Sequence, residues 1–195
     1  MENLVINSND GFLHLEDLPQ NCIFNKVVTG CGGTTIALKN KIDYVIAVPT
    51  VELIVNKIKR DSSGVGVTKF PDGTSVEVFG LFGCCDYQTK KELKDYISTH
   101  KTRKIICTYD KVPYLAKYIE TSQYQLLVDE YHTLLKAYSY RDKAINGIFD
   151  CYKSYKSVCF MSATPINPDF KPSALEALPE ITAVWDDTDS MIVNL

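Results

Sequence analysis

Short, unbroken apolar runs alternate along the chain with longer stretches of helical spacing. CIFNKVV (22–28), DYVIAVP (43–49), SVEVFGLF (75–82), RKIICTY (103–109), YQLLVDE (124–130) and SVCFMSA (157–163) each read as a strand. Near-continuous aliphatic and β-branched content of this kind suits a sheet that is covered on both faces. Between the strands, TTIALKN (34–40) starts a helix, and VELIVNKIKR (51–60) places apolar residues at 51, 53, 54, 55 and 58 ahead of terminal cations. TKKELKDYISTH (89–100) is amphipathic, and DKVPYLAKYIE (110–120) predicts a helix with Asp110 as its N-cap. A further helical region follows the sixth run's predecessor, YQLLVDE, and extends to about 150. DSSGVGVTKFPDGTS (61–75) reads as a loop or hairpin, and the tail ITAVWDDTDSMIVNL (181–195) regains strand character. This alternation predicts an α/β fold with a mainly parallel central sheet flanked by helices. In such sheets ligands bind in the loops that follow the carboxyl ends of strands.

Three of those loops carry unusual chemistry. In KVVTGCGGTT (26–35), Gly30, Gly32 and Gly33 leave the backbone open for successive N–H groups to close around an anion. Thr34 or Thr35 supplies a hydroxyl at the first helical turn, but Gly33 stands where a phosphate loop places its lysine. A ligand-free glycine turn between strand and helix is the plain alternative. In LLVDEYH (126–132) an apolar strand ends on Asp129 and Glu130, with His132 close behind. Paired carboxylates at that edge suit a Mg²⁺ ligand and a water-orienting base, or simply an acidic helix N-terminus. FMSATP (160–165) offers the hydroxyls of Ser162 and Thr164 around Ala163 at another strand end.

Taken together and in this order, TGCGGTT, DEYH and SATP resemble motifs I, II and III of the superfamily-2 helicases of the DEAD/DEAH-box class. The resemblance runs from about Lys26 to Pro165. VPT (48–50) sits where that family has motif Ia, and TYD (108–110) is placed similarly to motif Ib. It implies a RecA-like P-loop NTPase lobe that binds ATP and Mg²⁺ and couples them to nucleic acid. Residues 1–20 would be an N-terminal extension, 21–180 the lobe, and 181–195 its last strand and the start of a linker to a second lobe. By the resemblance, Thr29, Gly30, Cys31, Gly32, Gly33, Thr34 and Thr35 hold the nucleotide, and Thr34 and Asp129 hold the metal. Glu130 is the general base, with Asp129 beside it in the catalytic pair. His132, Ser162, Ala163 and Thr164 couple the nucleotide to the nucleic-acid face, where Pro49, Thr50, Thr108 and Tyr109 contact the strand. Lys26 and Lys39 are the cations nearest the vacant lysine position, and Gln20 is placed to mimic the family's adenine-reading glutamine. Arginine fingers would come from the second lobe; the chain stops about thirty residues after SATP, and Arg141 is its one arginine beyond the acidic pair. The resemblance therefore implies a lobe that hydrolyses ATP slowly or not at all by itself. A helicase-derived scaffold that binds without hydrolysis, and a different P-loop NTPase with no nucleic-acid partner, stay open.

Composition changes this picture little. The 195 residues fit one domain, and 45% hydrophobic with 23% charged residues is ordinary for a globular protein. A net charge of −3 provides no global basic field, which leaves nucleic acid to a local groove. Lys90, Lys91, Lys94, Lys101, Arg103 and Lys104 form a basic run that reads as a solvated helix face and loop. None of the seven cysteines forms a CxxC pair. Cys84, Cys85 and His100 lack metal-ligand spacing, and Cys31 has no third group that would make it a nucleophile with His132. No apolar run is long enough for a bilayer, and MENLVINSND has no secretory leader pattern, so a reducing cytoplasm is the expected setting.

Overall fold

A computed structural model of the chain describes residues 2–6, 10–60, 64–136, 146–167 and 171–185. The strands are β1 (Glu2–Ile6), β2 (Cys22–Asn25), β3 (Tyr44–Val48), β4 (Lys59–Arg60), β5 (Val65–Lys69), β6 (Ser75–Leu81), β7 (Lys104–Thr108), β8 (Gln125–Asp129), β9 (Ser157–Ser162) and β10 (Glu180–Trp185). They form one sheet in the order β1-β10-β2-β9-β8-β3-β7-β6-β5-β4. Every pairing from β1 across to β6 is parallel; only the edge pairings β6–β5 and β5–β4 are antiparallel. The fold is thus α/β with a mostly parallel sheet.

The helices are α1 (Gly33–Lys39), α2 (Val51–Lys57), α3 (Tyr87–Thr99), α4 (Val112–Leu115) and α5 (Tyr131–Lys136), with a further helical segment at 146–151. The expected helix through about 150 also covers 137–145, which lie outside the described residues, as do the last ten residues of the tail. Strand side chains alternate between two cores. Val45, Ala47, Leu126, Val128 and Phe160 pack with α3, α4 and α5; Tyr44, Ile46, Leu127 and Met161 pack with α1 and α2. Strands buried on both faces explain the unbroken apolar runs in the sequence.

Four local readings change. The 1–20 segment contributes strand β1, paired in register with β10 at the sheet edge. Its apolar pattern is weak because four of its five residues keep some exposure. Lys59 and Arg60 form a short strand rather than a helix end, because α2 stops at Lys57. Asp110 is no N-cap: a 3₁₀ turn at Tyr109–Lys111 already contains it, and α4 is a single turn opening at Val112–Pro113. Proline favours that first-turn position, so the helix begins later than the acidic residue suggests. Lastly, Lys104 is not part of a solvated face. It is fully buried, and Arg103 is folded onto Asp43, with Nε donating to Oδ2 at 2.8 Å.

Candidate functional site

β2, β9 and β8 are immediate neighbours in the middle of the sheet, so their carboxyl ends deliver the three motif loops to one place. The glycine loop leaves β2, SAT ends β9, and Asp-Glu ends β8. Gly30 (φ 70°) and Gly32 (φ 87°) take left-handed conformations that let the loop turn tightly into α1, with Gly32 as its N-cap. The first carbonyl of the helix is already engaged, since Ile36 N–H donates to Gly32 O at 3.0 Å.

Side chains from all three loops meet. The Thr34 hydroxyl donates to Asp129 Oδ2 at 2.8 Å. His132 Nδ1 lies 2.7 Å from Ser162 Oγ and 3.2 Å from Glu130 Oε2. Ser162 Oγ in turn accepts from Thr164 N–H at 2.9 Å and donates to Thr164 O at 3.0 Å, closing the SAT loop on itself. Thr29, Thr35 and Thr164 are exposed at the rim, while Cys31, Gly33, Thr34 and Ala163 lie inside it.

Lys26 completes the cluster. Its Nζ donates to Glu130 Oε1 at 2.7 Å and stands 3.6 Å from Asp129 Oδ1, and the residue is only 5% exposed. Its backbone is pinned from two sides: Lys26 N–H donates to Ser162 O and Trp185 Nε1–H donates to Lys26 O, both at 2.9 Å. Burial alone would pull the ammonium down, but the Asp129 and Glu130 carboxylates outweigh it, so its pKa is raised and the group stays charged. The Cys31 thiol is raised as well, for a different reason. Burial raises its thiol against a partial lowering by Lys26, which keeps it protonated and removes the nucleophile reading.

Two backbone outliers flank the cluster. Val27, directly after Lys26, has φ 64°, and Glu130 has φ 53°; neither residue adopts the left-handed region readily. Strain of this sort persists where surrounding bonds impose it. At Glu130 the bonds are visible. The Tyr109 hydroxyl donates to Asp129 O at 2.5 Å and lies 3.0 Å from Glu130 O, which also accepts from Thr133 N–H and its hydroxyl, each at 2.8 Å. Tyr109 is 2% exposed and turned toward the acidic pair, not toward the surface expected of a nucleic-acid contact. Replacing Tyr109 with Phe should cost about 1–3 kcal/mol in a urea melt, because the Asp129 carbonyl loses its hydroxyl donor while Glu130 O keeps only Thr133.

Asp129 Oδ1 is buried and has no hydrogen-bond partner among the described residues. That orphaned oxygen, beside the Thr34 hydroxyl, is a hard-donor pair suited to Mg²⁺ held jointly with phosphate oxygens and water. The remaining expectations fall elsewhere. Pro49, Thr50 and Thr108 line a separate cleft of about 440 Å³ with Glu52, Asp110 and Lys111, so its two carboxylates face one lysine. Lys39 is half exposed and pairs with Asp72, and the Gln20 amide is engaged with Asp17 Oδ2 at 3.0 Å. Cys84 is exposed, His100 bonds Glu77, and no metal-binding cluster of His, Cys, Asp or Glu exists among the described residues. No helix among them is long and apolar enough to cross a membrane.

The sequence hid two participants. Met161 fills the space over Gly33: a Cβ built there would lie 2.5 Å from Met161 Sδ. Trp185, the chain's only tryptophan, anchors the Lys26 carbonyl from β10. An apolar strand residue carries no signal of its neighbour's size; a lone tryptophan within the tail was the one available hint. Set against known proteins, the chain matches no protein-family model and no curated protein.

Proposed function

We propose that this chain is a RecA-like lobe of a superfamily-2 helicase-like NTPase, binding ATP with Mg²⁺ and passing the state of the nucleotide to a nucleic-acid-binding face. The observation that carries the reading is the meeting of three separate loops, in which the Thr34–Asp129 pair and the Glu130–His132–Ser162 group are joined by the Lys26 ammonium. A glycine turn without a ligand gives no reason for these loops to exchange side-chain bonds. Mg²⁺, when bound, would draw charge from the phosphates and make the terminal phosphorus more open to attack. Asp129 and Thr34 would hold it. Glu130 would orient the attacking water, and His132 would report its position to the SAT loop through Ser162.

A cavity of about 690 Å³ beside the loop supports the nucleotide reading, since a base and ribose need an apolar wall near the phosphates. Gly32, Thr35 and Ile36 line it together with the apolar Phe12, Leu13 and Phe70. Coupling to nucleic acid would run through the cleft at Thr50 and Thr108, at the carboxyl ends of β3 and β7. Tyr109 follows Thr108 and touches the acidic pair, giving a short route from cleft to nucleotide.

The scaffold reading draws on a different observation. Glu130 is already bonded to Lys26, and the thioether end of Met161 packs where a side chain at Gly33 would enter. A site arranged this way could bind without hydrolysing.

Calorimetric titration with ATP and Mg²⁺ tests the central claim. Asp129→Ala and Thr34→Ala should each weaken binding roughly tenfold or more by removing a metal-side oxygen. No uptake of ATP by the wild-type chain would sink the nucleotide reading. Binding with no phosphate release, with or without a single-stranded oligonucleotide, would select the scaffold.

A further inference from the structure

The geometry points to Lys26 as the phosphate cation of this site, held on Glu130 before a ligand arrives and transferred to the terminal phosphates when one binds. The inference rests on the nucleotide reading above and specifies how a loop without its lysine would work.

Three observations converge on it. First, the loop supplies no cation at Gly33, and the flexible thioether end of Met161 fills the space that a Cβ there would enter. Second, Lys26 brings an ammonium into the same cluster from the strand side, 2.7 Å from Glu130 Oε1 and 3.6 Å from Asp129 Oδ1. Thr34 donates to the other oxygen of Asp129, so Lys26 and the first turn of α1 share one carboxylate. Third, the strand end is fixed by Ser162 and Trp185 while the side chain is tied only to carboxylates. Moving the ammonium requires side-chain rotation and no backbone change.

The present partner of Lys26 is informative. An ammonium on Glu130 neutralises the acidic pair, but it also occupies the carboxylate that would orient water. A polyphosphate brings more negative charge than Glu130 and can take the ammonium from it. Binding would then do two things together: supply the phosphates with a cation and release Glu130. Lysine suits this exchange because it is a compact charge on a flexible stem, whereas arginine holds carboxylates in a fixed fork.

A double-mutant cycle on binding separates this from a purely structural ion pair. The probes are ATP with Mg²⁺ and inorganic tripolyphosphate, titrated calorimetrically into wild type, Lys26→Met, Glu130→Gln and the double variant. Lys26→Met should weaken both probes roughly tenfold to a hundredfold through loss of a charge-assisted contact. Glu130→Gln should tighten both several-fold, about threefold to tenfold, because the ammonium no longer has to leave a carboxylate. In the double variant that gain should vanish. If the gain from Glu130→Gln persists without Lys26, it reflects simple repulsion between Glu130 and phosphate, and the assignment fails. Equal binding by Lys26→Met and wild type also overturns it while leaving the nucleotide reading intact. Wild type that binds neither probe overturns both. If Lys26→Met does not fold, Glu130→Gln still decides: unchanged affinity for both probes rejects the exchange. Moving the charge gives a further check, since Gly33→Lys with Met161→Ala should restore binding to Lys26→Met.

Discussion

Lys104→Met is expected to lower the stability of the fold by about 3–5 kcal/mol at neutral pH, measured by urea denaturation. Methionine matches the length of the stem, so the loss comes from the ammonium and not from a cavity. Lys104 is fully buried, and its three donors reach three oxygens: Ala37 O at 2.6 Å, Asn40 Oδ1 at 2.7 Å and Ile42 O at 2.5 Å. Two of these acceptors lie at the carboxyl end of α1, where carbonyls lack partners within the helix and a cation is favoured. The residue thus fastens the helix that follows the glycine loop to β7 in the sheet. With methionine in place, the buried Ala37 carbonyl and the half-buried Ile42 carbonyl and Asn40 amide oxygen lose the lysine donor at once, and Asn40 Oδ1 keeps only the Ile42 N–H.

The same residue sets a pH dependence whose sign can be worked out. Burial drives the Lys104 pKa down to about 7, against upward pulls from Asp43 and Asp17. In the unfolded chain it returns to about 10.4. Between those values the unfolded state binds more protons than the folded one, so wild-type stability gains from Lys104 as pH rises through the window. The methionine variant lacks that gain. Its deficit relative to wild type should therefore widen from pH 7 toward pH 10, and a gap that narrows over this range would contradict the buried-ammonium account.

Lys104 also shows where a sequence is legible and where it is not. The runs around it were readable because strands covered on both faces must be apolar throughout, and β3, β7, β8 and β9 all appear where the pattern put them. The convergence of the three loops was readable too, since their residues sit at strand ends and a parallel sheet gathers such ends on one edge. Partners across the sheet were not. In the sequence Lys104 joins five other cations within fifteen residues, and nothing local distinguishes the one whose stem points inward. Tyr109 is a similar case: the resemblance of TYD to a nucleic-acid-contacting motif implied a surface contact, yet its hydroxyl bonds the backbone that holds Glu130 in a left-handed turn. Even the missing lysine had an unseen half, because only packing reveals that Met161 closes the gap. Side-chain chemistry is local, whereas burial and hydrogen-bond partners depend on which strands become neighbours.

Phe160→Ala should cost a further large amount, about 3–5 kcal/mol, through the cavity left in a closely packed aromatic group. Phe160 is fully buried, with Tyr152 at 5.6 Å and 80°, Tyr131 at 6.1 Å and 74°, and Phe149 at 6.3 Å between ring centroids. Edge-to-face contacts of this kind add to the area buried, and no single neighbour can relax to fill the hole. The consequence should reach the site along one route. Tyr131 opens α5 immediately after Glu130, so loosening its ring removes support from the left-handed turn at Glu130. Met161, the next residue, faces the opposite core and keeps its place over Gly33. ATP affinity measured well below the unfolding transition should therefore fall less in Phe160→Ala than in Thr34→Ala, despite the far larger loss of stability. The reverse order would mean that the aromatic core, and not the loop packed against Met161, governs the geometry of phosphate binding.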